Sequence, residues 1–167
     1  MKIIFEGPDG SGKTTAIGYI QKMTAWDMVV SGGPLLCRED FKKRINNIIR
    51  LPEEKNFLID RISIISNKIY RKVFDRKEII KNREYLELGE LLLKDSLTVF
   101  CSANNIEYYD SKFDDDHKID QGQFIYREKI VLEYEKYFKD FKYRLINFDF
   151  TKTTLEELSK EIINECK

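Results

Sequence analysis

The run IIFEGPDGSGKTT, Ile3–Thr15, constrains the chain more than any other stretch. An apolar, β-type segment passes through glycines at 7, 10 and 12 into Lys13, and helical spacing follows to about Thr24. Glycines let the backbone curl so that successive N–H groups point inward. Such a nest at a helix N-terminus is an anion site, above all for phosphate. Gly7–Thr14 satisfies G-x-x-x-x-G-K-[ST], the P-loop pattern, so Gly7, Asp9, Gly10, Ser11, Gly12, Lys13, Thr14 and Thr15 form the candidate ATP-binding set. Its chemistry assigns Lys13 to the β- and γ-phosphates and the Thr14 hydroxyl to Mg²⁺.

Strands and helices alternate along the rest of the chain. Strands are expected at Lys2–Glu6, Trp26–Val30, Phe57–Arg61, Leu97–Ala103 and Tyr143–Phe150. Helical periods cover residues 38–51, 62–74, 85–96, 123–138 and 153–165, the last with Thr153 or Thr154 as N-cap and Glu157 near the box position. Short apolar strands separated by helices imply a parallel sheet covered on both faces, an α/β fold. Gly18 breaks good helix-forming sequence, and close packing on the sheet is the expected reason. Without repeats or a linker, 1–167 is expected to form a single domain, with a short polar lid at about 110–124.

Composition removes several functions. Lys plus Arg and Asp plus Glu are 29 each, so polymeric nucleic acid is not an expected partner. Cys37, Cys101 and Cys166 are far apart with no CxxC, which fits a reducing, cytoplasmic setting rather than disulfides or zinc. Apolar runs are strand-sized, so neither a membrane span nor a signal peptide is expected. One histidine, His117, rules out multi-histidine metal sites and His-based triads. A GTPase would need an N/T-K-x-D motif on a later strand, and the segment SANNIEYYD lacks it.

Asp60 and Arg61 end the third strand, where open α/β sheets bind ligands. Ser66, Asn67 and Tyr70 then share about one helical face. With E-G-x-D-G-x-G-K-T-T upstream, D-R here and S-N-x-x-Y after it, the chain resembles the thymidylate kinase family of P-loop nucleoside monophosphate kinases. Viral and phage-type deoxynucleoside monophosphate kinases look nearest, because VVSGGP stands where cellular members carry R-E-P-G-G-T. DSLTVFCSA and INFDFTKTTLEEL extend the resemblance through the fourth and fifth strands, the latter bordering the adenine of ATP.

The resemblance implies a three-layer P-loop kinase fold with a five-stranded parallel sheet flanked by helices. It also implies transfer of the ATP γ-phosphoryl to a deoxynucleoside monophosphate, dTMP first, with Mg²⁺. It places Asp9 against the acceptor 3′-hydroxyl, Arg61 on the acceptor phosphate, and Asp60 on Mg²⁺ or the attacking phosphate oxygen. Asn67 would meet the base edge beside Ser66, and Tyr70 the 2′ position; Phe41 with Arg44 or Arg50 are the candidates to stack on and read the base. The family supplies an arginine from the P-loop or the lid, and this chain has Gly10 and an acidic DDD run at those places. Arg127, Lys118 and Lys112 are therefore the candidate lid cations. The family's dimers imply a second copy of the chain as partner. Rival readings are a kinase for another deoxynucleotide or a deoxynucleoside, and a nucleotide-binding module without turnover.

Overall fold

Ile3, Ile4 and Phe5 are all buried, so the first strand has to lie inside a sheet covered on both sides. The computed structural model describes residues 1–31, 35, 37–103 and 126–166. Within them the chain runs β1 (Lys2–Glu6), α1 (Lys13–Thr24), β2 (Asp27–Val30), α2 (Arg38–Ile49), β3 (Phe57–Asp60) and α3 (Ser63–Val73). It continues with α4 (Asn82–Leu93), β4 (Ser96–Ser102), α5 (Arg127–Lys139), β5 (Leu145–Asp149) and α6 (Leu155–Glu165). The strands form one parallel sheet in the order β2-β3-β1-β4-β5.

Handedness then decides the layers. Parallel crossovers are right-handed. The step from β1 to β2 runs toward one edge, and the three later steps run toward the other. That puts α1 on one face and α2–α5 on the opposite face. Side chains follow the period of two along β1: Ile3 and Phe5 pack with Ile17 and Ile20 of α1 and Leu158 and Ile162 of α6. Ile4, between them, packs with Phe41, Ile45, Ile65, Ile69 and Tyr134 on the other side. The result is the three-layer α/β fold expected from the sequence.

Element ends moved for identifiable reasons. The α4 helix covers 82–93 rather than 85–96, because Ser96 opens β4 in register with Lys2 and its hydroxyl donates to the Leu92 carbonyl (2.6 Å). Tyr143 and Arg144 stay outside β5: the Tyr143 hydroxyl donates to Glu90 (2.7 Å), and Arg144 pairs with Glu165 (2.6 Å). Thr154 is the N-cap of α6, and with Glu157 it completes the capping box. The expected 123–138 helix starts at Arg127 among the described residues, and the lid at about 110–124 lies outside them. Cys37, Cys101 and Cys166 are free thiols. No helix among the described residues is long and apolar enough to cross a membrane.

Gly18 departs from expectation. A Cβ built there meets nothing within 4 Å, so sheet packing does not require the glycine. Its cost is the backbone entropy of a glycine within a helix. Gly18→Ala should therefore stabilise the protein by about 0.5–1 kcal/mol. A higher urea midpoint with an unchanged slope is the expected readout.

Candidate active site

β1 departs toward one edge of the sheet and its neighbour β3 toward the other, opening a crevice between their carboxyl ends. The glycine-rich loop leaves β1 at this point. Gly7 has φ 148°, and a Cβ there would lie 2.2 Å from the Cys101 carbonyl oxygen on β4, so no other residue fits. Gly12, at φ 78°, turns the chain into α1 as its N-cap.

Lys13 is buried at the start of α1. Its Nζ donates to the carbonyls of Gly7 (3.0 Å) and Pro8 (2.6 Å) and to Ser11 Oγ (3.2 Å). Burial, then the nearby Arg61 charge, push its pKa down to about 8, with Asp9 opposing. Arg61 approaches from β3. Its φ is 63°, and its Nη2 donates to the Gly7 carbonyl (3.1 Å) and to Asp9 Oδ1 (2.6 Å). Its guanidinium lies over the Tyr70 ring, 5.6 Å from the centroid, and its Nε is buried without a hydrogen-bond partner. The Tyr70 hydroxyl donates to Asp9 Oδ2 (2.8 Å). Burial would raise the Asp9 pKa, but Arg61, Lys13 and Tyr70 together hold it below the usual carboxylate range.

Two hollows adjoin this cluster. One, of about 370 Å³, runs along Asp9–Thr15 to Asp60 and Arg61. The second, of about 320 Å³, lies between Gly12 and Thr15 on one side and Phe148 with the Phe150–Leu155 turn on the other. Asp149 shapes that turn by accepting from the Thr151 amide (3.0 Å) and hydroxyl (2.5 Å).

The structure thus brings together Gly7, Asp9, Gly10, Ser11, Gly12, Lys13, Thr14, Thr15, Asp60, Arg61 and Tyr70. Other candidates stand apart or are already engaged. Ser66 Oγ donates to the Ile62 carbonyl of its own helix (2.9 Å). Asn67 donates to the Tyr85 hydroxyl, and Tyr85 packs edge-on against Phe41 at 5.4 Å. Phe41 itself is fully buried in the core, which leaves its ring no open face. Arg44 forks onto Asp40 (2.9 and 2.8 Å) and reaches the Ser31 carbonyl (3.4 Å). Arg127 is a buried first residue of α5, and burial pulls its pKa down. It shares the α5 face of Tyr134, two turns, or about 10 Å, nearer the ligand edge. Lys118 and Lys112 lie outside the described residues.

Sequence reasoning passed over Glu6. This carboxylate ends β1, is fully buried, and accepts from the Ile62 amide (2.7 Å) and the Tyr134 hydroxyl (3.2 Å). An acid directly after the apolar run Ile3–Phe5 was the available signal. Tyr134 gave none, since its helix position is indistinguishable from core. Among the described residues no group of three or more His, Cys, Asp or Glu could hold a metal ion. Thr14 and Asp60 both line the first hollow, and a hydroxyl with one carboxylate suits a Mg²⁺ ion carried in on a phosphate ligand.

No family model matches the chain. The SPbeta prophage-derived uncharacterized protein YorR of Bacillus subtilis (strain 168) is 26% identical over 102 residues, which are 61% of this chain and 61% of that relative. The crystal structure of YorR in complex with phosphorylated GDP superposes with a TM-score of 0.75 at 20% identity, over 99% of this chain and 95% of YorR. Deoxyadenosine kinase from M. mycoides, with dCMP and dCDP bound, gives 0.63 at 17% identity over 99% and 98%. Thymidylate kinase from Candida albicans gives 0.63 at 17% over 98% and 89%. The chain shares its three-layer α/β fold with these proteins.

Burial pushes the Glu6 carboxyl up to about 7, against the opposing pull of Arg61, the Ile62 amide, Lys13 and Tyr134. The folded protein therefore holds this proton more tightly than the unfolded chain does. The group's contribution is greatest below about pH 4.5, falls as pH rises to about 7, and is flat above. Glu6→Gln keeps an acceptor for the Ile62 amide and removes the titration. Its stability should gain on the wild type by on the order of 1–3 kcal/mol between pH 5 and pH 8. Urea midpoints of both proteins at the two pH values check this, and parallel pH dependences would contradict it.

Proposed function

We propose that this chain is an ATP-dependent kinase of deoxynucleoside monophosphates, with dTMP as its first acceptor. One observation carries the reading: Lys13 Nζ, from the start of α1, and Arg61 Nη2, from the end of β3, converge on the same Gly7 carbonyl oxygen at 3.0 and 3.1 Å. Two cations so close repel each other, and the Arg61 charge adds to burial, the larger cause, in lowering the Lys13 pKa. Two phosphate groups, one for each cation, would relieve it. The kinases among the structural neighbours support the same reading.

In this arrangement the loop amides and Lys13 hold the donor's β- and γ-phosphates, and the second hollow receives its base. Arg61, a planar fork of donors, takes the acceptor phosphate. Asp9 and Tyr70 stand beside it for the sugar, and Asn67 with Ser66 continue the acceptor side along α3. Bound Mg²⁺ would neutralise phosphate charge, held by Thr14 and Asp60. The acceptor phosphate is already a nucleophile at neutral pH, so catalysis is alignment and charge stabilisation. Arg127, on the ligand-edge end of α5, and Lys118 are the cations assigned to the charge building on the transferred group. A homodimer in the cytoplasm belongs to the same reading.

A panel of nucleosides and nucleoside monophosphates with ATP–Mg²⁺, read by product chromatography, tests it; dTDP from dTMP is expected. Product only from unphosphorylated deoxynucleosides would replace the acceptor class. Nucleotide binding without any product would leave a binding module. Lys13→Ala should keep the fold and lose at least nine-tenths of turnover. Arg61→Ala removes a charge-assisted contact of roughly 1.5–3 kcal/mol, so the acceptor KM should rise about tenfold or more while the ATP KM holds.

A further inference from the structure

Arg61 is a non-glycine residue at φ 63°, a conformation that L-residues rarely adopt and that something must hold. Two amides hold it. The Arg61 N–H donates to the Phe5 carbonyl (3.0 Å), and the next N–H, of Ile62, donates to Glu6 Oε1 (2.7 Å). Ile62 is the N-cap of α3 and has no side chain that could do this work itself. The second Glu6 oxygen accepts the Tyr134 hydroxyl from α5 (3.2 Å). One fully buried carboxylate therefore joins β1, the β3–α3 bend and α5.

We propose that Glu6 is a positioning residue for acceptor binding, its carboxylate clamping the Arg61–Ile62 bend so that the guanidinium points across the cleft. The two contacts that show this aim, to the Gly7 carbonyl and to Asp9, depend on the bend. Without Glu6, the Ile62 N–H and the Tyr134 hydroxyl lose their acceptor, and the bend can relax toward an ordinary φ. Burying a carboxylate is costly. Arg61 and Lys13 lessen that cost without cancelling it, and the Glu6 pKa stays raised.

The kinetic consequence rests on the phosphoryl-transfer reading above; the geometric one does not. Wild type, Glu6→Ala, Glu6→Gln and Glu6→Met are compared in two measurements. The first is the arginine Nε–Hε NMR spectrum of the nucleotide-free protein, with the Arg61 signal assigned by its loss in Arg61→Lys. Because Arg61 Nε is buried, the wild type should show a signal slow to exchange. That signal should persist in Glu6→Gln, which still accepts from Ile62, and vanish in Glu6→Ala. Glu6→Met fills the volume but accepts no such bond, and it should behave as Glu6→Ala does even if the alanine variant fails to fold. The second measurement is initial-rate kinetics. Glu6→Ala or Glu6→Met should raise the acceptor KM at least tenfold with the ATP KM within twofold, and Glu6→Gln should restore the acceptor KM to within threefold. An unchanged Arg61 signal in the alanine or methionine variant, its loss in a folded glutamine variant, or equal rises in both KM values would overturn the clamp. If the wild type phosphorylates no acceptor, the kinase reading falls while the NMR comparison still decides the clamp.

Discussion

Two cations donate to one carbonyl oxygen, that of Gly7, and the surrounding residues answer the repulsion this creates. Asp9 draws Arg61 aside with one oxygen and takes the Tyr70 hydroxyl with the other. Glu6 lies beneath, fully buried; burial raises its pKa, and both cations pull against that rise. Tyr134 brings α5 into the same network from the far side of the sequence. Buried polar groups are tolerated when every member has a partner, and here nearly all do. The exception is Arg61 Nε.

Strand order makes this convergence available. Because β1 and β3 are neighbours that send their following helices to opposite faces, their carboxyl ends are left uncovered side by side. The apolar middles of both strands lie in the core, so the backbone beneath the loop is fixed on both faces. A short lateral ladder, Phe5 opposite Asp60, then sets the height at which Arg61 leaves the sheet. Precision at the cleft comes from packing several residues away.

Local patterns were legible and long-range partners were not. The glycine spacing announced the loop, and apolar runs between helical periods announced five parallel strands. Thr154 and Glu157 marked a helix start by chemistry confined to four residues. Phe41 and Arg44 show the limit: helical period puts both on α2 but cannot say that one ring is sealed in the core while the guanidinium is taken by Asp40. Gly18 invited a packing explanation that the open space around it removes. Glu6 and Tyr134 are separated by 128 residues, and no window of sequence holds both. The positive φ of Arg61 is equally silent in sequence, since arginine carries no signature of a left-handed turn.

The contact between Asp9 and Arg61 has a further consequence for selectivity among anions. A carboxylate tethered 2.6 Å from the guanidinium is a competitor that never diffuses away. Its effective concentration is set by the rigid loop rather than by solution, and for short tethers such values are at least on the order of millimolar. Any free anion must outbid this built-in rival for Arg61. Under the proposed function, a monophosphate that brings a sugar and a base would have additional contacts with which to do so, while inorganic phosphate or sulfate would have none. On the proposed function, the resting ion pair would act as a threshold, keeping the guanidinium from abundant small ions and yielding it to a ligand large enough to hold on elsewhere.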